Sequence, residues 1–303
     1  MKLLQAQFFH PRFWLSWFGL LFMRLSIYLP TKIQLRLSYG LALLMKPFMK
    51  ARNSIAKRNI ELCFPDKSEQ WRIKLLEDNK YSMAMLLFET ALSWWGSNAR
   101  LEKKVTYVGM EHLDNALKKG KGVILLTGHF TCMELGIRLM MMKTPCHVMY
   151  RQLKNPVFNS VMTQSRAIHS EQTILRDDPR TMLRALKKNK VVLYAPDQDM
   201  GKKRSIYATF FGIRAATVPA TARIVKMSGA TVVPVIAKRE LNGHYTMTLG
   251  SALTDYPTGD DVADAQKIND VIEQAVRETP GQYLWIHRRF KTQPNAKKGL
   301  LYK

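Results

Sequence analysis

The stretch from residue 122 to 135 constrains the fold of this chain more than any other: Gly-Val-Ile-Leu-Leu-Thr-Gly-His-Phe-Thr-Cys-Met-Glu-Leu. A short apolar run ends at Gly128, His129 follows at once, and an amphipathic helical pattern carrying Leu135, Leu139 and Met142 begins just beyond. An uninterrupted apolar strand needs cover on both faces, the condition of a parallel sheet flanked by helices. Such sheets carry their chemistry where strands give way to helices, so His129 and Glu134 stand where a site is expected. In one continuous helix the two would be separated by roughly 140°. They meet only if His129 occupies the turn and Glu134 lies about one turn into the helix. Gly128 suits such a turn, and Thr131 suits the N-cap. Spacing alone leaves two readings open: a catalytic base steadied by an acid, or a buried histidine paired with a carboxylate for structure.

The same alternation continues along the chain. Strand-like runs fall at 105–108, 123–127, 148–150, 191–195, 231–237 and 245–249. Helical patterns begin at Asn155-Pro156 and Asp178-Pro179, each with proline at the first helical position, and recur over 218–227 and 262–276. Asp66 and Glu69 form a capping-box pattern that opens a long helix toward Trp95. Strands alternating with helices predict an α/β fold with a mainly parallel central sheet flanked by helices. No linker rich in Pro, Gly or Ser divides it, so residues 31–303 are expected to form one catalytic domain.

Residues 1–30 are expected to form an N-terminal membrane-anchoring helix. Phe13 to Leu29 is apolar and aromatic, with Arg24 its one charge. A helix of that length reaches about 25 Å, slightly short of a hydrocarbon core of roughly 30 Å. It either spans with some thinning of the bilayer or lies in the interface with Arg24 snorkelling. No small-residue cleavage pattern follows, which argues against a removable signal peptide. The next stretch, 32–57, mixes Leu41, Leu43, Leu44 and Phe48 with Lys46, Lys50, Arg52 and Lys57, a basic amphipathic pattern suited to anionic headgroups.

Charge narrows the partners. Lys and Arg number 47 against 23 Asp and Glu, a formal net charge of +24. That excess calls for an anionic partner, and its spread along the chain without an arginine-rich segment disfavours nucleic acid. Three cysteines with no pairing or metal-like spacing fit a reducing compartment and argue against a disulfide scaffold or a zinc site. No metal cluster or nucleotide-binding glycine loop is evident, so no cofactor is expected.

Six blocks in order resemble the late (lauroyl/myristoyl) acyltransferases of lipid A biosynthesis, within the glycerolipid acyltransferase superfamily. They are 59–65 (Asn-Ile-Glu-Leu-Cys-Phe-Pro), the His-x4-Glu box of His129 and Glu134, Tyr150-Arg151 with Asn155-Pro156, and 194–199 (Tyr-Ala-Pro-Asp-Gln-Asp) with Phe210-Phe211-Gly212. Val232-Val-Pro-Val and the C-terminal run 283–291 complete the set. The superfamily at large has Asp where this chain has Glu134; glutamate there is similar to the lipid A branch.

The resemblance implies transfer of an acyl group from an acyl carrier protein thioester to a hydroxyl of a lipid A precursor. The site would lie on the cytoplasmic face of the bacterial inner membrane, among anionic lipids. His129 would be general base and Glu134 its orienting acid, with oxyanion donors at the N-terminus of the following helix. Arg151, Asp197, Asp199 and Arg204 are expected as substrate-binding residues. Asp197 and Asp199 follow a buried strand and should emerge at the same sheet edge as His129; an ion pair of Arg151 with either is the competing assignment. His287 is expected in structure or docking. Three rivals stand beside this reading: Cys132 as a thiol nucleophile, acyl thioesterase chemistry at the same base, and phospholipid acyl transfer.

Overall fold

The computed structural model describes residues 6–295 and 299–302. Four helices come first: α1 (Trp14–Ser26), α2 (Thr31–Met45), α3 (Lys50–Cys63) and α4 (Glu69–Trp95). The alternating part then runs α5 (Asn98–Glu102), β1 (Val105–Val108), α6 (Met110–Leu117), β2 (Val123–Leu126), α7 (Met133–Met141) and β3 (Cys146–Tyr150). It continues through α8 (Pro156–His169), β4 (Gln172–Leu175), α9 (Pro179–Lys187) and β5 (Val191–Tyr194). A hairpin of β6 (Ile206–Phe210) and β7 (Ile213–Thr217) leads to α10 (Ala220–Ser228), β8 (Thr231–Arg239), β9 (Tyr245–Leu249) and α11 (Asp261–Glu278).

The main sheet has the order β1-β9-β8-β2-β5-β3-β4, and only β8 and β9 pair antiparallel. The expected α/β fold with a mainly parallel sheet is therefore present. Every residue of β2 is buried, as an apolar strand covered on both faces must be. Beside it runs β5, parallel and in register, with Leu126 opposite Tyr194. Right-handed crossovers send the chain after β2 over one face and the chain after β5 over the other. Contacts agree: α7 and α8 pack with α4, while α10 packs with α9 and α11. The C-terminal ends of β2 and β5 thus flank the point where the winding reverses, the crevice that open α/β sheets use for ligands.

The N-terminal segment departs from expectation. No described helix is long and apolar enough to cross a membrane. The 13 residues of α1 extend only about 20 Å. The helix stops at Ser26, and Pro30, which disfavours helical geometry in the residue before it, leads into α2. It lies along the α/β body against α4 and α8, with Leu20 and Met23 buried beneath it. Its other side presents Leu15, Phe18, Leu21 and Leu25 to the exterior. Residues 1–5 of the expected anchor lie outside the described residues.

Other local differences have physical causes. Ser68, not Asp66, caps α4, accepting the Trp71 N–H at 3.2 Å. Neither β4 nor the β6–β7 hairpin was expected: β4 is a four-residue edge strand, and the hairpin turns at Phe211-Gly212, both at positive φ, without an Asn-Gly or Asp-Gly signal. Inside the body, Arg239 on β8 pairs with Glu89 of α4 at 2.7 Å, and Tyr245 donates to the same carboxylate at 3.0 Å. This fastens the long helix to the sheet.

Candidate active site

Three residues beyond the register pair Leu126 and Tyr194 come His129 and Asp197. Parallel strands in register therefore deliver both side chains to one place. Asp197 Oδ1 lies 2.5 Å from His129 Nδ1, and Oδ2 accepts the His129 backbone N–H at 3.0 Å. The Tyr283 hydroxyl donates to Oδ2 at 2.8 Å. Asp197 is only 2% exposed, whereas the His129 side chain keeps 22%. No described residue bonds to His129 Nε2, and His129 lines a cavity of about 870 Å³. Burial pulls the His129 pKa down, but the charge and hydrogen bond of Asp197 outweigh it and leave the ring above its ordinary value. Burial also opposes ionisation of Asp197, yet His129 and the donors around it hold that carboxyl well below the usual range.

The turn is stapled to the C-terminal segment. Thr131 N–H donates to the Gln282 carbonyl at 2.7 Å, and Leu284 N–H to the His129 carbonyl at 2.9 Å. Gly128 is needed for space, not for backbone angles: a Cβ would stand 3.0 Å from Ile272 and 3.2 Å from Phe130. Cys132, not Thr131, occupies the N-cap position of α7 and caps nothing with its side chain.

The expected contact between His129 and Glu134 is replaced by another pairing. Glu134 Oε1 accepts Arg166 Nε–H and Trp94 Nε1–H, each at 3.0 Å, and Oε2 accepts from Arg166 Nη2. Glu134 stands in the first turn of α7, where its carboxylate faces α8 instead of the turn. Burial alone would raise its pKa, but the Arg166 guanidinium and the Trp94 donor hold it down. Both residues line the same cavity as His129. Arg166 was not singled out in the sequence, though a signal existed: it sits one turn after Met162, a charge set into the apolar stripe of α8.

The remaining candidates divide. Arg151 lines the cavity and is exposed, with no ion pair to Asp197 or Asp199. Arg204 lies at the rim, 3.0 Å from Asp177. Asp199 is turned inward: its carboxylate accepts the Thr292 N–H at 2.7 Å, the Thr292 hydroxyl at 3.0 Å and the Gly201 N–H at 2.9 Å. Those bonds clamp the C-terminal segment and leave Asp199 no face toward the cavity. His287 accepts the Asp199 N–H at 3.2 Å, and burial pulls its pKa to about 4, a structural acceptor. Cys132 is wholly buried, its pKa pushed up to about 12 by burial, the opposite of an activated thiol. Among the described residues no group of side chains could hold a metal ion.

A base fixed by a buried acid, its outer nitrogen unbonded and the residue lining a large cavity of basic and apolar character, can deprotonate a hydroxyl beside a long apolar substrate. The sequence profile of the bacterial lipid A biosynthesis acyltransferases matches residues 1–292. The lipid A biosynthesis lauroyltransferase of Escherichia coli K12 is 37% identical, covering 95% of this chain and 94% of that one. The palmitoleoyltransferase of the same strain is also 37% identical, over 97% and 96%. A lipid A biosynthesis acyltransferase of Haemophilus influenzae is 32% identical over 98% and 97%. By profile and by near full-length identity, the chain belongs to the bacterial lipid A biosynthesis acyltransferase family.

Proposed function

We propose that this protein is an O-acyltransferase that moves a fatty acyl group from an acyl carrier protein thioester to a hydroxyl of a lipid A precursor, with His129 as general base and Asp197 as its orienting acid. The supporting observation is the His129–Asp197 pair at the edge of the 870 Å³ cavity. In the neutral ring Nδ1 carries the proton toward Asp197, so Nε2 holds the lone pair. As the acceptor oxygen attacks the thioester carbonyl, Nε2 takes its proton, typically worth ~10²–10⁴-fold. The imidazolium that forms stays beside the buried Asp197 carboxylate, which stabilises it without taking the proton. Collapse of the tetrahedral intermediate expels the thiolate, and the ring returns the proton to it.

The wall around the base suits both substrates. Met133, Ile137 and Met162 offer apolar surface to the chain, while Arg151, Arg204 and Arg223 offer charge to phosphates. Lipid access has support in the N-terminal helices. The exposed faces of α1 and α2 carry Leu15, Phe18, Leu43 and Leu44, with Phe48 just beyond, among Arg36, Lys46, Lys50 and Arg52. Asn155, four residues past the cavity-lining Arg151 and the N-cap of α8, donates to Ser16 at 2.8 Å and fastens α1 to the start of α8. We infer docking in the interface of an anionic bilayer, at the cytoplasmic face of the inner membrane.

Acceptor competition tests the reading. Purified protein receives an acyl carrier protein thioester with equal amounts of a tetra-acylated disaccharide acceptor and a lysophospholipid. Mass spectrometry is expected to find the new acyl group on the disaccharide lipid. Acylation of the lysophospholipid alone, or release of free fatty acid alone, contradicts it.

A further inference from the structure

Attack on a thioester carbonyl moves the C=O electron pair onto oxygen, and that charge needs a donor. The turn beside His129 is the expected source, but its N–H groups are engaged. Those of His129, Phe130, Thr131 and Met133 donate to Asp197, Gly128, Gln282 and Phe130 respectively. Of the N–H groups that remain, those of Cys132 and Leu135 belong to residues with no exposure, and that of Glu134 lies within the first turn of α7, beyond the turn itself. Arg166 Nη1 lacks a partner, but the atom is buried and its guanidinium is committed to Glu134.

One side-chain amide is free in the right place. Gln198 follows Asp197 directly, so its Cα lies about 3.8 Å from that of Asp197. Past the end of β5 burial alternates, with a bend at Gln198: Asp197 and Asp199 are buried, and Gln198 lines the cavity with His129. Its amide has no hydrogen-bond partner among the described residues, whereas its two neighbours are fully bonded. The amide is partly exposed in the cavity, so its bonding capacity is open to a ligand there instead of being spent on the fold.

Resting on the acyl-transfer reading above, we propose that the Gln198 amide N–H donates to the thioester carbonyl oxygen and stabilises the oxyanion that forms on attack. The balance is simple. The acceptor oxygen bonds to the carbonyl carbon, its proton goes to His129 Nε2, and the carbonyl electron pair rests on oxygen against the Gln198 donor. The pair re-forms the carbonyl as the thiolate leaves. No proton passes through the amide.

The test compares Gln198→Ala and the isosteric Gln198→Glu with the intact protein at saturating donor and acceptor. The expected result is a fall in kcat of about 10²–10³-fold in both, as for loss of one oxyanion donor. Both KM values should stay within about threefold. In Gln198→Ala the acid limb of the rate profile and the melting temperature should not move, because Gln198 makes no bond to His129 and is not part of the core; in Gln198→Glu the added carboxylate should move the limb up. A kcat within about threefold of wild type, or a loss carried by the acceptor KM instead, overturns the assignment. If His129→Ala is inactive while Gln198→Ala is not impaired, only this inference fails; if His129→Ala keeps full activity, the reading of the whole site fails.

Discussion

One carboxylate holds both the ring and the backbone of the same residue: Asp197 Oδ1 meets His129 Nδ1 at 2.5 Å while Oδ2 accepts the His129 N–H at 3.0 Å. Asp197→Asn disturbs both bonds. An amide oriented to accept from Nδ1–H turns its NH₂ toward the backbone N–H and the Tyr283 hydroxyl, two donors already aimed there. Steady-state assays should show kcat lowered by on the order of 10³–10⁴-fold. Loss of less than about tenfold would remove Asp197 from the mechanism.

The pH dependence follows from the same pair. His129 works as a base only when neutral, and its pKa is raised above 6.5. The acid limb of kcat/KM should therefore lie above pH 6.5, with activity rising as the ring loses its proton. In Asp197→Asn the limb should move down, since burial then acts unopposed. Stability carries the opposite sign. A histidine with a raised folded pKa contributes fully below the unfolded value and loses that contribution as pH rises through the folded one. Asp197, depressed below 3.8, contributes above that pH and loses its share as acid protonates it in the folded state. Thermal melts of the two proteins across pH would show the difference.

Glu134 acts on Arg166, so its replacement should not behave like that of Asp197. Glu134→Gln leaves a nine-tenths-buried guanidinium without its charge partner, a loss of about 3–5 kcal/mol by analogy with broken buried pairs. Denaturant titration should show that loss, and adding Arg166→Met should recover much of it. The acid limb should stay where the wild type has it. A limb that follows Glu134 instead would restore the His–Glu pairing.

The exposed side of α1 yields a membrane prediction. Leu15 is 84% exposed and Phe18 67%, so Leu15→Glu with Phe18→Glu should leave the melting temperature unchanged. Each buried side chain of that size is worth about 1.5–3 kcal/mol, so sedimentation with anionic vesicles should weaken by tenfold or more. Binding equal to wild type would leave this face without a lipid role. Raising ionic strength should also weaken vesicle binding and slow transfer, given the net charge of +24.

Much of the fold was legible because its signals are local. The apolar run of β2, the glycine after it, and the Asn-Pro and Asp-Pro helix starts each declare an element within a few residues. The sheet edge that gathers His129 and Asp197 was legible for the same reason. Which acid meets the histidine was not. Glu134 is near in sequence, but Asp197 arrives through the register of β2 on β5, a non-local pairing that no short window contains. Asp199, expected among the substrate-binding residues, bonds instead to Thr292 and Gly201, because burial alternates over 197–199 and no local signal says which of the two carboxylates meets the ring. The N-terminal segment looked long enough to approach a span by composition, and Pro30 marked its limit.

The most direct test of the account is the initial rate of acyl transfer by His129→Ala against wild type, with acyl carrier protein thioester and lipid acceptor both saturating. Loss of at least about 10²-fold, in a protein whose circular dichroism shows it folded at the assay temperature, is the predicted result. A rate within about threefold of wild type would contradict a general base at this position.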